Sequence, residues 1–265
     1  MDNRPIGVFD SGVGGLTVVS QVVRTLPHEE IVYFGDTARL PYGSKSKEIV
    51  TKFSREIVNF LLEKDVKAII IACNTASSNS YEALITEFDI PIIEVVSPAV
   101  TACLKTTKNN IVGVIGTEAT IRSQAYQRQL QNNKTDIQVY SKSCPLFVHL
   151  AEEGWTNNSV AHMTTEIYLQ ELIDKEIDTL ILGCTHYPLL EQCIKQITGN
   201  IKIINPAGAA ATEMKKFLTA HNSLRNPQNY PPQHKFYVSD NTRKFNKLCK
   251  LVLDDIYEAK LVDLG

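Results

Sequence analysis

Short runs of apolar, mostly β-branched residues recur along the chain and alternate with longer stretches of helical periodicity. In residues 46–64 the apolar positions return every three or four residues, which predicts an amphipathic helix. The apolar runs have the length of buried strands, and nine of them are evident: 6–9, 30–34, 68–72, 91–96, 110–115, 136–141, 178–183, 201–204 and 234–239. This alternation predicts a three-layer α/β fold, in which mainly parallel sheets are covered by helices on both faces.

Three pairs of segments indicate an internal repeat. AIIIACNTAS (68–77) and LILGCTHYP (180–188) both read as a buried strand, a cysteine, small polar residues and the start of a helix. At nearly the same offset, GVFDSG is similar to GVIGTE, and IPIIEVVSPAV is similar to IKIINPAGA. Three pairs in the same order predict two similar α/β units, which we expect to be related by a pseudo-twofold axis.

The repeat suggests a division of the chain into two domains. We assign residues 1–97 together with 207–265 to the first domain, and residues 98–206 to the second. Each domain then offers a cysteine directly after a strand, Cys73 in the first and Cys184 in the second. Open α/β sheets bind ligands at the carboxyl ends of their strands, so we expect the two thiols to meet across a cleft between the domains.

Composition and charge narrow the expected partners and location. The formal net charge of −2 gives no overall basic field, so we do not expect a nucleic-acid partner. We expect no association with membranes, because no apolar run approaches the roughly 18 residues that a span requires. The N-terminal residues lack the apolar core of a signal peptide, and the six cysteines show no C-x-x-C spacing. We therefore expect reduced thiols in a cytoplasmic protein.

Two thiols on opposite faces of a carbon atom form an acid and a base of matched strength. The pKa of a thiol is near 8.5 and falls at a helix N-terminus, so we expect the thiolates of Cys73 and Cys184 to be favoured. His186 is placed to hold a proton near Cys184, and Asp10 to hold one near Cys73. Such a pair removes a proton from one face and returns one to the other, which is the chemistry of a racemase without a cofactor.

Two polar loops at the same sheet edge are candidates for substrate binding. DSGVGG (10–15) follows the first strand and opens a helix, so its glycines would let backbone N–H groups approach an anion. Its spacing is neither that of a dinucleotide fingerprint nor that of a P-loop. With Asp10 for an ammonium group and Ser11 for a carboxylate, the loop suits a small zwitterion. The loop 35–46, with Tyr42 and Gly43 at its centre, could close over the ligand.

Three other functions compete with a racemase. A cysteine hydrolase would use Cys184 and His186, but residues two apart on a turn rarely aim at each other, and Cys73 would have no role. A zinc site needs four ligands, and only Cys184 and His186 have a suitable spacing. A non-catalytic amino-acid-binding protein would share the two lobes but would have no need for thiols.

Ordinary structural roles compete at single positions as well. Asp10 is also a turn former, and Glu152 is also consistent with a surface charge near a helix C-terminus. Helix capping is an alternative role for Asn74, Thr75 and Thr185.

Six segments, in order and over nearly the whole chain, resemble those of bacterial glutamate racemases: VFDSGVGGLTV, YFGDTARLPYGSKS, IIACNTASS, IGTEATIRS, CPLFVHLAEEGW and LILGCTHYPLL. The combination of DSGVGG, CNTA and GCTHYP is highly specific. The resemblance implies a two-domain isomerase that makes D-glutamate for peptidoglycan, and thus for the cell wall, without pyridoxal phosphate or metal. Its small-molecule substrate would be glutamate, with aspartate as the alternative, and the oligomeric state stays open between a monomer and a homodimer.

The resemblance also assigns roles to individual residues. By position, Cys73 and Cys184 match the two proton donors and acceptors, with Cys184 acting on the L-enantiomer and Cys73 on the D-enantiomer. The substrate contacts are matched by Asp10, Ser11, Tyr42, Gly43, Asn74, Thr75, Thr185 and His186. The groups that tune the thiols are matched by Asp10, His186 and Glu152, with Glu153 as the alternative to Glu152. Two positions depart from the family pattern: His149 stands where proline is usual, and Asn205 where aspartate is common.

Overall fold

The computed structural model describes residues 1–227, 231–240, 242–253 and 257–264. Its strands are β1 (Ile6–Asp10), β2 (Ile31–Gly35), β3 (Ala68–Ile71), β4 (Ile92–Glu94), β5 (Ile111–Gly116), β6 (Gln138–Ser143), β7 (Thr179–Gly183), β8 (Lys202–Ile204), β9 (Lys235–Val238) and β10 (Ala259–Leu261). Its α-helices are α1 (Leu16–Thr25), α2 (Lys47–Glu63), α3 (Asn74–Glu87), α4 (Val96–Thr106), α5 (Glu118–Ser123), α6 (Ala125–Asn133), α7 (Leu146–Glu153), α8 (Ser159–Ile173), α9 (Glu191–Thr198), α10 (Pro206–Ala220) and α11 (Thr242–Leu253).

The strands form two parallel sheets. The first has the order β10-β9-β2-β1-β3-β4, and the second has the order β6-β5-β7-β8. The run β2-β1-β3-β4 therefore has the same order as β6-β5-β7-β8, so each strand of the predicted repeat occupies the matching place in its sheet. The prediction of an α/β fold with two similar, mainly parallel units is confirmed.

All nine predicted strands are present, and two details differ from the prediction. The strand predicted at 91–96 ends at Glu94, because the Glu94 carboxylate accepts hydrogen bonds from the backbone N–H groups of Val96 and Ser97 and so caps α4. The sequence pattern missed β10, a three-residue strand at the edge of the first sheet whose residues are half-buried or exposed. A short, partly exposed edge strand leaves little apolar signal.

The central strands are buried on both faces. In β3, Ala68 and Ile70 pack into the apolar cluster on one side of the sheet, while Ile69 and Ile71 pack into the cluster on the other side. A strand with two buried faces needs no polar positions, which explains its continuous apolar run. This packing fixes the end of β3, and with it the position of the cysteine that follows.

The two sheets draw on different parts of the chain. The strands of the first sheet come from residues 6–94 and 235–261, and those of the second from residues 111–204. Between them, α10 packs against both α1 and α4. The domain limits after residues 97 and 206 fall within the first turns of α4 and α10, and they stay a prediction. Within the described ranges, every helix is too short or too polar to cross a membrane.

Candidate active site

The two cysteines of the repeat lie at the carboxyl ends of matching strands. Cys73 follows β3 and is the N-cap residue of α3, where its Sγ accepts a hydrogen bond from the backbone N–H of Ala76 at 3.4 Å. Cys184 follows β7 and precedes a 3-10 turn at Tyr187–Leu190. Both line a single cavity of about 260 Å³, one thiol supplied by each sheet. Neither Cys73 nor Cys184 forms a disulfide.

The cavity gathers most of the residues that the sequence singled out. Nine of the eleven predicted site residues line it, and the other two, Asp10 and Glu152, lie behind the lining in contact with it. Among the described residues, the lining is formed by Ser11, Leu40, Pro41, Tyr42, Gly43, Ser44, Cys73, Asn74, Thr75, Thr117, Glu118, Pro145, Val148, His149, Gly183, Cys184, Thr185 and His186.

Cys184 has a histidine beside it, and that histidine contacts a carboxylate. His186 Nδ1 lies 3.8 Å from Cys184 Sγ, and His186 Nε2 lies 3.3 Å from Glu152 Oε1. Burial alone would lower the pKa of His186, but its contacts with Cys184 and Glu152 outweigh this and raise the pKa to about 10. His186 is therefore a cation at neutral pH. Glu153 is exposed, so Glu152 is the glutamate that faces the histidine.

Cys73 has a different environment. Its Sγ lies 3.5 Å from the Ser11 hydroxyl, and burial together with the nearby charge of Asp10 raises its pKa to about 12. The expectation that the helix N-terminus favours its thiolate is therefore wrong for Cys73. Loss of hydration disfavours the charged form, and this effect outweighs the hydrogen bonds from Ser11 and Ala76 that would stabilise it.

Asp10 lies buried at the end of β1 and contacts both sides of the site, the one formed by the first unit and the one formed by the second. Its carboxylate accepts hydrogen bonds from the Gly12 backbone N–H at 3.1 Å and from the Thr185 hydroxyl at 3.4 Å. Burial raises the pKa of Asp10, and the nearby charge of His186 opposes that rise. Asp10 is thus linked both to Cys73, through its charge, and to the loop that carries Cys184.

Two glycines of DSGVGG are needed for close packing. The predicted approach of this loop to an anion stays a prediction. A Cβ atom on Gly14 would lie 2.4 Å from Thr185 Oγ1, and one on Gly15 would lie 2.5 Å from Asp10 Cβ. Both distances are too short for real contacts. Small residues are therefore required here so that the first loop can pack directly against Thr185 and Asp10.

Hydrogen bonds between hydroxyl and amide groups connect the first unit to the second beside the cavity. Thr75 Oγ1 lies 2.9 Å from Thr117 Oγ1 and 3.2 Å from Thr120 Oγ1. The Tyr126 hydroxyl donates a hydrogen bond to Asn74 Oδ1 at 2.5 Å. Thr117, Thr120 and Tyr126, the three partners from the second unit, are not among the site residues that the sequence predicts. The repeat contained the signal for Thr117, because GVIGTE places it opposite Ser11 of GVFDSG.

The loop after β2 lines a further part of the cavity. Gly43 packs against Thr117, and the Tyr42 ring lies against Phe53 with 5.7 Å between ring centroids. The Tyr42 hydroxyl donates to the carboxylate of buried Asp36. The hydroxyl is thus engaged within the first unit, although the residue lines the cavity as expected.

The two departures from the family pattern have different locations. His149, on α7, lines the cavity beside Val148. Asn205 is the N-cap of α10, where its side chain accepts a hydrogen bond from the Ala207 backbone N–H at 3.0 Å. In the described part of the chain, no three His, Cys, Asp or Glu side chains are grouped so that they could hold a metal ion.

Comparison with known proteins agrees with this geometry. Residues 6–214 match the Asp/Glu/Hydantoin racemase family. The chain belongs to this family. It is 47% identical to a glutamate racemase from Persephonella marina over 257 residues, which cover 97% of this chain and 96% of that protein.

Two solved structures show the same fold over the full length. The crystal structure of a glutamate racemase isoform from Bacillus anthracis is 39% identical, with a TM-score of 0.95 over 100% of this chain and 99% of that one. The glutamate racemase from Francisella tularensis, solved in complex with D-glutamate, is 41% identical, with a TM-score of 0.92 and the same coverage. The family and the cavity together point to chemistry on an amino acid.

Proposed function

We propose that the chain is a glutamate racemase, an isomerase that interconverts L- and D-glutamate by acid/base chemistry and supplies D-glutamate for peptidoglycan. One observation carries the proposal: two buried thiols, from matching positions of a repeat and one from each sheet, line one cavity of amino-acid size. The identity to glutamate racemases along almost the whole chain supports glutamate over aspartate as the substrate.

The two thiols divide the reaction between them. One, as a thiolate, removes the proton from the substrate Cα and becomes a thiol, and the carbanion then takes a proton from the other thiol on the opposite face. The high pKa of Cys73 favours its protonated form, and the positive charge of His186 lies beside Cys184. These surroundings support Cys184 as base and Cys73 as acid, which we assign to the conversion of L- to D-glutamate.

The reverse reaction requires the two roles to exchange. Cys73 must then lose a proton, and buried Asp10, whose own pKa is raised, is the group beside it that can accept one. We assign the substrate's charged ends to hydroxyl, amide and backbone groups of the lining: Ser11, Tyr42, Gly43, Asn74, Thr75, Thr185 and His186. A non-catalytic binding protein would need these groups but neither thiol.

The proposal includes catalysis without pyridoxal phosphate or metal, as the resemblance to glutamate racemases implies. Pyridoxal phosphate enzymes hold their cofactor through a lysine Schiff base, and no lysine stands among the described residues that line the cavity. A cytoplasmic location is proposed as well, because the free thiols of Cys73 and Cys184 suit a reducing compartment. Formation of a homodimer stays a prediction.

The deciding experiment follows the substrate Cα in D₂O. We expect L-glutamate to exchange its Cα hydrogen for deuterium and to racemise fully, with no effect of a chelator or of a carbonyl reagent. Racemisation of L-aspartate while glutamate stays unchanged would overturn the substrate assignment. Absence of exchange with either amino acid would favour a binding protein instead.

A further inference from the structure

The cavity loop, residues 36–45, determines the shape of one wall of the active site. It contributes five consecutive lining residues, 40–44, but neither of the two thiols. Its regular structure is limited to two 3-10 turns, Thr37–Arg39 and Tyr42–Ser44. The position of this wall therefore depends on the contacts that hold the loop.

The strongest of these contacts converge on Asp36, which is fully buried at the start of the loop. Asp36 Oδ2 accepts hydrogen bonds from Arg39 Nε at 2.7 Å and from the Tyr42 hydroxyl. Asp36 Oδ1 accepts a hydrogen bond from the Ser239 hydroxyl at 2.9 Å. Because hydrogen bonds to a buried carboxylate are strong, the orientation of Asp36 sets the orientation of Tyr42.

Ser239 is the partner that comes from a distant part of the chain. It directly follows β9, and its backbone N–H donates to the Gly35 carbonyl at 3.1 Å. Its hydroxyl donates to Asp36 and at the same time accepts a hydrogen bond from the Ala38 backbone N–H at 2.9 Å. One side chain thus holds both a carboxylate and a backbone group of the loop.

A second pair of hydrogen bonds reinforces this link. The Asp240 backbone N–H donates to Thr37 Oγ1 at 2.7 Å, and the Thr37 hydroxyl donates to the Asp240 carbonyl. Neither Ser239 nor Asp240 lines the cavity. The end of β9 therefore acts on the cavity loop and not on the substrate directly.

We propose that Ser239 is a positioning residue, which fixes Asp36 and the start of the cavity loop so that Tyr42 and Gly43 form the substrate-facing wall. The inference rests on the proposed racemase function and assigns a role in it to the segment after β9. Because both thiols are held by the ends of β3 and β7, the loop governs substrate binding more than proton transfer.

The kinetic test compares Ser239→Ala with Ser239→Thr. The alanine variant leaves Asp36 Oδ1 and the Ala38 N–H without the hydroxyl, and we expect KM for both glutamate enantiomers to rise about 5- to 10-fold, with kcat within about two-fold. Threonine keeps the hydroxyl and should restore KM to within about two-fold of the wild type. Ser223→Ala, which removes a hydroxyl bonded to the His221 carbonyl away from the loop, should leave KM unchanged.

A second variant and a second measurement keep the inference testable. Thr37→Val removes both hydrogen bonds to Asp240 and should also raise KM, even if Ser239→Ala folds poorly. Amide hydrogen exchange should be faster at residues 37–45 in Ser239→Ala and unchanged in β3. This readout needs no substrate, so the loop contact can be confirmed even if glutamate proves not to be racemised. An unchanged KM in Ser239→Ala, or a lower melting temperature without a change in KM, would overturn the proposal.

Discussion

The surroundings of Cys73 and of Cys184 share one plan, a buried strand followed by a thiol, yet they place different charged groups beside their thiols. Cys184 has a histidine cation within 3.8 Å, which is held in turn by Glu152. Cys73 has a neutral hydroxyl at 3.5 Å and a buried carboxyl nearby, and its pKa is raised to about 12. A repeat can therefore duplicate the position of a residue while the charges around that residue differ.

Removal of either thiol should have the largest effect. Cys73→Ser and Cys184→Ser should each lower kcat about 10²- to 10⁴-fold, because a serine hydroxyl is a far weaker acid and base at neutral pH. The check is polarimetry from each enantiomer. Cys103→Ser is the matched control, since Cys103 packs in the apolar cluster beside α4 and should leave kcat unchanged. Turnover at the wild-type rate in either active-site variant would rule out the two-thiol mechanism.

Glu152 and Glu153, which are neighbours on α7, give the next test. It concerns the difference between the surroundings of Cys184 and those of Cys73. Glu152→Gln removes the carboxylate that stabilises the His186 cation, and we expect kcat to fall about 10- to 100-fold. The loss should be larger from L-glutamate than from D-glutamate, because we assign Cys184 as the base in that direction. Glu153→Gln changes an exposed neighbour and should leave kcat unchanged. Equal losses in the two variants would contradict the assignment of Glu152.

The close packing of the DSGVGG loop against Thr185 predicts an effect on stability. Gly14→Ala would place a Cβ 2.4 Å from Thr185 Oγ1, and we expect it to lower the free energy of unfolding by about 1–3 kcal/mol. Gly208→Ala is the control, because the nearest atom to its Cβ would be 3.8 Å away, and we expect a change within about 1 kcal/mol. Denaturant unfolding measures both, and identical midpoints would show that the loop can move aside.

Much of this site could be predicted from the sequence, for reasons of local geometry. Cys73 and Cys184 were recognisable because a strand buried on both faces leaves an apolar run, and the residue after it must lie at the sheet edge. Tyr126 and Thr120 were not, because their contacts with α3 depend on how the two units face each other. The high pKa of Cys73 was missed for a related reason: a helix N-terminus is visible in a sequence, whereas the degree of burial is not.

The smallest effect expected is on the pH dependence of stability. It again distinguishes the surroundings of Cys184 from those of Cys73. The pKa of His186 is about 10 in the folded chain, above its ordinary value of 6.5. A raised pKa contributes stability that is fully present below pH 6.5 and is lost as the pH rises toward 10. The raised pKa of Cys73 acts in the same direction, but only above the ordinary thiol pKa near 8.5–9, so the window between pH 6.5 and 8.5 lies below its effect. The proton on His186 changes stability with pH only if it comes from solvent, because a proton passed from Cys184 to His186 leaves the total number of bound protons unchanged. We expect uptake from solvent, since the Glu152 carboxylate supplies a negative charge beside the histidine. Across that window the wild-type melting temperature should then fall by at least about 2–4 °C, which corresponds to about 1 kcal/mol in a chain of this size. His186→Asn should flatten the dependence, whereas Cys73→Ser should retain it. Parallel curves for the wild type and His186→Asn would show that His186 takes up no proton from solvent, and the asymmetry between the surroundings of the two thiols would then need another cause.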